Sequence, residues 1–356
     1  MICFTDEKIY ALEMSDEIFD YKEIQDFIDE NDLDFNISFA ELVNDFVKGD
    51  VENGFKKIIN IVKYNLFSEI RLNLETIKII ISIVLITVVF VDFSCIVKNG
   101  QCVEIGFFIS YILIMSYIII SFSIVSGVAE GIISIFVDFM KALLPVYLAT
   151  INITNGQIYA TAYCEMVLVI ITIMEFVCLK IIIPAIKLYV IVGLINNITK
   201  EDILSKSCEF VGSIINFMIK TMFTVIISLN IFQKLSTPVS ANLNNTATRK
   251  IIGTISGMTS VGNGVTELVF NTGSVIRNAI GAGGFIVLCI IVLVPFIKIV
   301  VFKFSYQFLN ALIQPISDKR ITDCLSYISG GTQMLLKTVF GNFVMFMITI
   351  MLVCMN

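Results

Sequence analysis

The chain has 356 residues, of which 57% are hydrophobic and only 15% charged, and its mean hydropathy is +0.90. Soluble domains carry roughly 45–50% apolar and about 25% charged residues, so this composition excludes an ordinary soluble fold and points to the bilayer. The sequence holds no histidine and no tryptophan, which removes every histidine-dependent triad and zinc-helix motif.

Charge is unevenly distributed. Residues 1–52 carry 16 acidic residues against 3 lysines, whereas the rest of the chain carries 14 acids against 21 basic residues. The acidic balance therefore belongs to the N-terminal segment, and no basic surface of the kind that nucleic acid requires is evident. None of the nine cysteines forms Cys-x-x-Cys, and most lie in apolar runs. Cysteine there behaves as a small hydrophobe. Cys95 and Cys102 flank a short loop and would be able to bridge on an oxidising side.

Taken in order, Met1-Ile-Cys-Phe-Thr5 is too short for a signal peptide and follows no basic region, while Ile9-Tyr-Ala-Leu-Glu13 suits the tail of a cleavage region; either the start is internal or there is no signal, and the second reading is favoured. Ser15–Asn36 has apolar residues at helical spacing, and Phe39–Val47 follows Ser38 as N-cap with Glu41 three residues on, a capping-box pattern. Residues 1–50 thus read as an acidic helical segment. Residues 51–75 read as a basic amphipathic helix, either interfacial or packed on the N-terminal segment. Residues 76–356 read as a polytopic membrane domain.

Thr76–Val97 is the first span, about 33 Å of helix against a ~30 Å hydrocarbon core. Lys98–Glu104 reads as a loop and Ile105–Ser126 as a second, uncharged span. Gly127 and Gly131 then form a small-xxx-small pair, and Glu130, Asp138 and Lys141 interrupt the apolar pattern. Asp138 and Lys141 share a helix face at i, i+3. They suit a polar cavity or gate, or a position near the headgroups; the second reading is favoured. Pro145 is expected to kink or end this helix.

Tyr159–Ile195 is too long for one upright span, so either Pro184 kinks a tilted helix or two spans meet near Lys180–Pro184. Glu175 is the deepest acid of this run and needs a partner. Lys220, near the middle of the span Cys208–Phe232, would snorkel or pair with it. Gln233–Ala247 reads as a solvent-exposed loop. Thr248–Ala279 is rich in small residues. Gly253 and Gly257 there allow close helix approach, and broken helices of this composition can line a transporter site, though plain packing is the commoner use. The apolar runs Ile280–Phe302 and Gly331–Met355 flank a charged corner that holds Gln314, Pro315, Asp318, Lys319, Arg320 and Asp323.

The fold class is therefore all-α: a polytopic helical membrane protein of about six to eight spans, with re-entrant or broken helices allowed, behind a small acidic N-terminal segment. The intramembrane and corner positions just named are candidates for polar or packing roles. The basic residues of the short loops are too evenly spread to fix orientation.

The corner Ala311-Leu-Ile-Gln-Pro-Ile-Ser-Asp-Lys-Arg-Ile-Thr-Asp-Cys-Leu325 resembles that of the stage III sporulation protein AE family. The run Asn278-Ala-Ile-Gly-Ala-Gly-Gly284 and the segment Phe139-Met-Lys-Ala-Leu-Leu-Pro-Val-Tyr147 are similar to the same family. Thr248–Gly262 takes the place of its small-residue stretch but lacks an Asn-Phe-Ile-Pro-type turn. The resemblance covers about residues 37–356 and is strongest after residue 240. It implies a membrane component of a transenvelope channel or secretion complex between mother cell and forespore, needed for late forespore gene expression and forespore integrity.

By the same resemblance the location is the mother-cell membrane around the forespore. The partners are other membrane proteins of that complex, the lipid bilayer and, as an open alternative, further copies of the chain. No catalysis, no cofactor and no nucleic acid are expected. Family members usually begin with a signal peptide, from which this N-terminus departs. The rival reading is a small-solute transporter or permease using the Gly-rich stretch and the intramembrane charges.

Overall fold

In a computed structural model the chain is described over residues 77–89, 100–155, 157–198, 204–225 and 261–355, with isolated positions at 67, 70, 71, 74, 75, 227 and 228. The acidic segment 1–50, nearly all of the amphipathic stretch 51–75, the loop Gln233–Ala247, Gly253, Gly257 and the Cys95–Cys102 pair lie outside the described residues or side chains.

All described secondary structure is helical. In hydrocarbon no water is present to satisfy backbone N–H and C=O groups, so a spanning segment must satisfy them within itself. That requirement overrides the modest helix propensity of the many Ile and Val residues. The hydroxyls obey the same rule. Thr87, Thr172, Thr224, Thr332, Thr338 and Thr349 each donate to the carbonyl four residues back, at 2.7–3.0 Å.

The helices are α1 (Ile77–Val89), α2 (Gly100–Asn155), α3 (Gln157–Val177), α4 (Ile183–Asn196), α5 (Ser205–Val225), α6 (Val261–Ile313) and α7 (Lys319–Met355). Among the described residues five helical stretches are long and apolar enough to cross a membrane, and α1 is a shorter apolar helix.

Several boundaries differ from those expected. Helix α2 is described over Gly100–Asn155, so most of the expected loop Lys98–Glu104 is helical, and the helix runs through Pro145. Proline removes one hydrogen bond, a loss that neighbouring helices and local adjustment absorb in a membrane bundle. Helix α6 likewise contains Pro295, and it carries Gly281–Gly284 within one unbroken helix from Val261. The described part of Thr248–Ala279, from Val261 on, is therefore continuous helix, and the broken helix, the less favoured of its two readings, is absent there. At the corner only Gln314–Asp318 is non-helical; Lys319–Cys324 is the start of α7.

Tyr159–Ile195 is one helical path. A π-helical turn, Cys178–Ile182, joins α3 to α4, and the Ile183 N–H bonds back five residues to the Cys178 carbonyl. The cause is in the sequence. The ring of Pro184 would press on the Lys180 carbonyl four residues back, and Pro184 has no N–H to offer it; widening the ladder by one residue relieves both.

The core follows helical arithmetic. On α2 the buried positions include Phe107, Tyr111, Ile114, Ile118, Phe122, Val125, Ala129, Ile132 and Phe136, steps of three or four that keep one stripe facing inward, and the stripe widens after Ile132 to take in Ile133, Val137 and Met140. Helix α7 packs on α2, α4 and α6, and α2 also packs on α3, α4 and α6. Close approach is set by glycine: a Cβ at Gly331 would collide with Val190, and one at Gly341 with the Phe223 ring. Gly127 and Gly131 do not play that part, since nothing lies within 4 Å of either Cβ position.

Candidate functional site

The charged side chains of the apolar helices are brought together in pairs. Lys187 of α4 donates to Glu130 of α2 at 2.7 Å. One layer further on, Lys141 of α2 stands 3.6 Å from Asp138 on its own helix and 3.8 Å from Glu175 of α3. Lys141 is thus shared by two acids, and the five groups carry one net negative charge. Helix geometry dictates the intrahelical pair, whereas the other two pairs need α2 to lie against α3 and α4.

This belt faces outward. Lys187 and Glu130 are each 38% exposed, Lys141 45%, Asp138 60% and Glu175 32%. Glu130 stands about 37 Å along α2 from Ile105, and Lys141 about 16 Å beyond that, so one ~30 Å hydrocarbon core does not contain both the uncharged stretch and the belt. That spacing fits the reading that puts these charges near the headgroups. Apolar sequence nevertheless continues past it, with Met166, Leu168, Val169, Ile173 and Phe176 exposed on α3.

Three positions are decided here. Glu175 takes Lys141, not Lys220, as its partner. Lys220 is exposed on α5, where its flexible stem can carry the ammonium toward water. Gly127–Gly131 lines no helix contact. The Glu130–Lys187 pair went unforeseen as a pair. The signal available was one unmatched acid and one unmatched base in successive apolar runs, but only the fold fixes which charges meet.

The corner residues sit together at the other end of α2. Gln314 and Pro315 are exposed in the turn. Asp318 accepts from the Arg320 backbone N–H at 2.9 Å and from its guanidinium at 3.2–3.3 Å, which anchors the first turn of α7 as an N-terminal carboxylate does. The Arg320 guanidinium also lies 3.5 Å from the ring centre of Phe107 on α2, a cation–π contact. Lys319 is exposed beside them.

Deeper, Asn342 of α7 donates to the Cys178 sulfur at 3.2 Å, and the Cys178 thiol donates to Met222 of α5 at 3.4 Å. These groups tie three helices at the π-turn. Cys164, Cys178, Cys208 and Cys324 are buried free thiols, consistent with packing roles. Among the described residues no group of three or more Cys, Asp and Glu is placed to hold a metal ion.

Comparison with known proteins adds the following. Residues 37–356 match the family model of stage III sporulation protein AE. The chain is similar to the Stage III sporulation protein AE of Bacillus subtilis (strain 168), with 20% identity over 286 residues, covering 80% of this chain and 72% of that protein. No solved structure matches the chain significantly.

Proposed function

Since the chain belongs to the stage III sporulation protein AE family and carries the membrane helices and sporulation role that this implies, we propose that it is a non-catalytic membrane component of a channel or secretion complex joining mother cell and forespore. Its place is the mother-cell membrane around the forespore, and its partners are the other membrane proteins of that complex. Late forespore gene expression and spore development depend on it.

The observation that supports an assembly role is the exposed charge belt. Each charge left in hydrocarbon costs about 2.5–3.5 kcal/mol on insertion scales. Five charges that are one third to three fifths exposed on an outer helix face need protein or water beside them. Helix α2 is 56 residues long, about 84 Å, and the apolar surface beyond the belt also needs cover. A neighbouring subunit supplies both.

Affinity purification of the tagged chain from sporulating cells, paired with solute flux by the purified chain in liposomes, tests this. The expected outcome is recovery of other sporulation membrane proteins with no flux by the chain alone. Flux without recovered partners would instead establish the small-solute transporter.

A further inference from the structure

The acidic balance of the charge belt has a counterpart on the opposite side of the bundle. Lys337 of α7 donates to Asn216 of α5 at 3.2 Å, and Lys220 stands one turn beyond Asn216 on the same face of α5. Both lysines are exposed, and among the described residues neither is paired with an acid. Each has an exposed phenylalanine one turn away on its own helix, Phe217 beside Lys220 and Phe340 beside Lys337.

Helix geometry fixes the side. Gly331 of α7 faces Val190 of α4 and Phe122 of α2. Phe340 comes about two and a half turns later and so points the other way; Lys337 is its neighbour at i, i+3. The belt lies on the exposed surface of α2, α3 and α4. Acids and lysines therefore occupy opposite faces of one bundle.

The two faces also share a level. At the π-turn Cys178 meets Asn342 of α7 and Met222 of α5, which sets these three positions at one height. At about 1.5 Å per residue, Lys220 lies about 3 Å and Lys337 about 8 Å from that height toward the charged corner. By the same measure the Glu130–Lys187 layer lies about 13 Å toward the corner and the Lys141–Glu175 layer about 5 Å away from it. The lysines thus fall between the two layers of the belt.

Rotation about the membrane normal leaves height unchanged. A second copy of the chain, turned about that axis, brings two cations to a belt of one net negative charge at the belt's own depth. A different protein is under no such constraint. Exposed apolar side chains flank the charges on both faces, Ile173 and Phe176 beside Glu175 and the two phenylalanines beside the lysines.

We infer that the chain associates with itself head to tail, the Lys220–Lys337 face of one copy docking on the charge belt of the next. Asp138, the most exposed acid of the belt at 60%, accepts from the incoming ammonium groups. Each added copy leaves one belt and one lysine face open, so the contact builds a ring where the rotation closes. The inference rests on the assembly role proposed above and gives the neighbouring subunit an identity.

The test uses the full chain in liposomes. Donor-labelled and acceptor-labelled copies are mixed, and energy transfer is followed as lipid is added. The unaltered chain is expected to associate. Reversal of the basic face by Lys220→Glu with Lys337→Glu, or of the acidic face by Asp138→Lys, is expected to weaken self-association about tenfold or more, because ion pairs give way to like-charge contacts. The two variants mixed are expected to associate again, since the intact belt of the first fits the intact lysines of the second. Recovery on mixing excludes misfolding as the cause of either loss.

No recovery on mixing, with Cys178 still buried against maleimide in both variants, overturns the proposal. An unaltered chain that stays monomeric overturns it too. If that monomer still copurifies with other sporulation membrane proteins, the assembly role stands and a different protein covers the belt; if it recovers none, that role fails as well.

Discussion

Lys187 and Glu130 are 57 residues apart in the chain and meet at 2.7 Å across two helices. Each group is 38% exposed, so the pair is neither a core ion pair nor a free surface one. Lys187→Ala or Glu130→Ala is expected to destabilise the bundle by about 1 kcal/mol, the upper end for a part-exposed ion pair near the headgroups. The exchange Glu130→Lys with Lys187→Glu is expected to recover most of it. Thermal unfolding in nanodiscs reads the effect, and an exchange no better than either single change would remove the pair from the account.

The partner of Glu175 is open to a direct test. Glu175→Lys with Lys141→Glu is expected to restore the stability that either change alone loses, whereas Glu175→Lys with Lys220→Glu is not. Lys141 stands 3.8 Å from Glu175. At that separation, and with both groups part-exposed, the coupling is on the order of 1 kcal/mol. A double-mutant cycle in the same nanodiscs measures it.

Glycine substitutions should divide sharply. Gly331→Ala places a methyl against Val190 and within 3.3 Å of the Phe122 ring, and overpacking of this kind costs about 1–3 kcal/mol. Gly131→Ala meets nothing within 4 Å, and replacing a helical glycine by alanine gains up to about 1 kcal/mol. The two melting shifts are therefore expected to have opposite signs. A melting point lowered equally by both would place Gly131 in a packed contact.

The polar tie at the π-turn predicts a fourth pattern. Asn342 donates both to Cys178 and to the Thr338 carbonyl, the latter at 2.7 Å, and it is fully buried. Asn342→Ala opens a cavity and leaves the thiol without its donor, at a cost of about 1–3 kcal/mol. It should also raise the rate at which maleimide reaches Cys178 while Cys324, distant and equally buried, stays protected. Mass spectrometry of the labelled peptides resolves the two sites.

Sequence by itself determined the solvent and hence the backbone. A chain so apolar and so poor in charge must place its long hydrophobic runs in lipid, and lipid admits helices that satisfy their own hydrogen bonds. The corner at Gln314–Pro315, the i, i+3 relation of Asp138 and Lys141, and the disturbance near Pro184 were legible for the same reason: each depends on neighbours within one or two turns. The helical state of Gly100–Glu104 and the continuity through Pro145 were not.

Partner choice belonged to the tertiary structure. Glu175 had Lys141 and Lys220 available, and Gly127–Gly131 had the same spacing as any packing pair. Only the approach of α2 to α3 and α4, fixed by the buried stripe from Phe107 to Phe136, decides which charges fall within 4 Å and which glycines face a neighbour. Lipid compels a helix to form but is indifferent to which helix stands beside it; side-chain packing makes that choice.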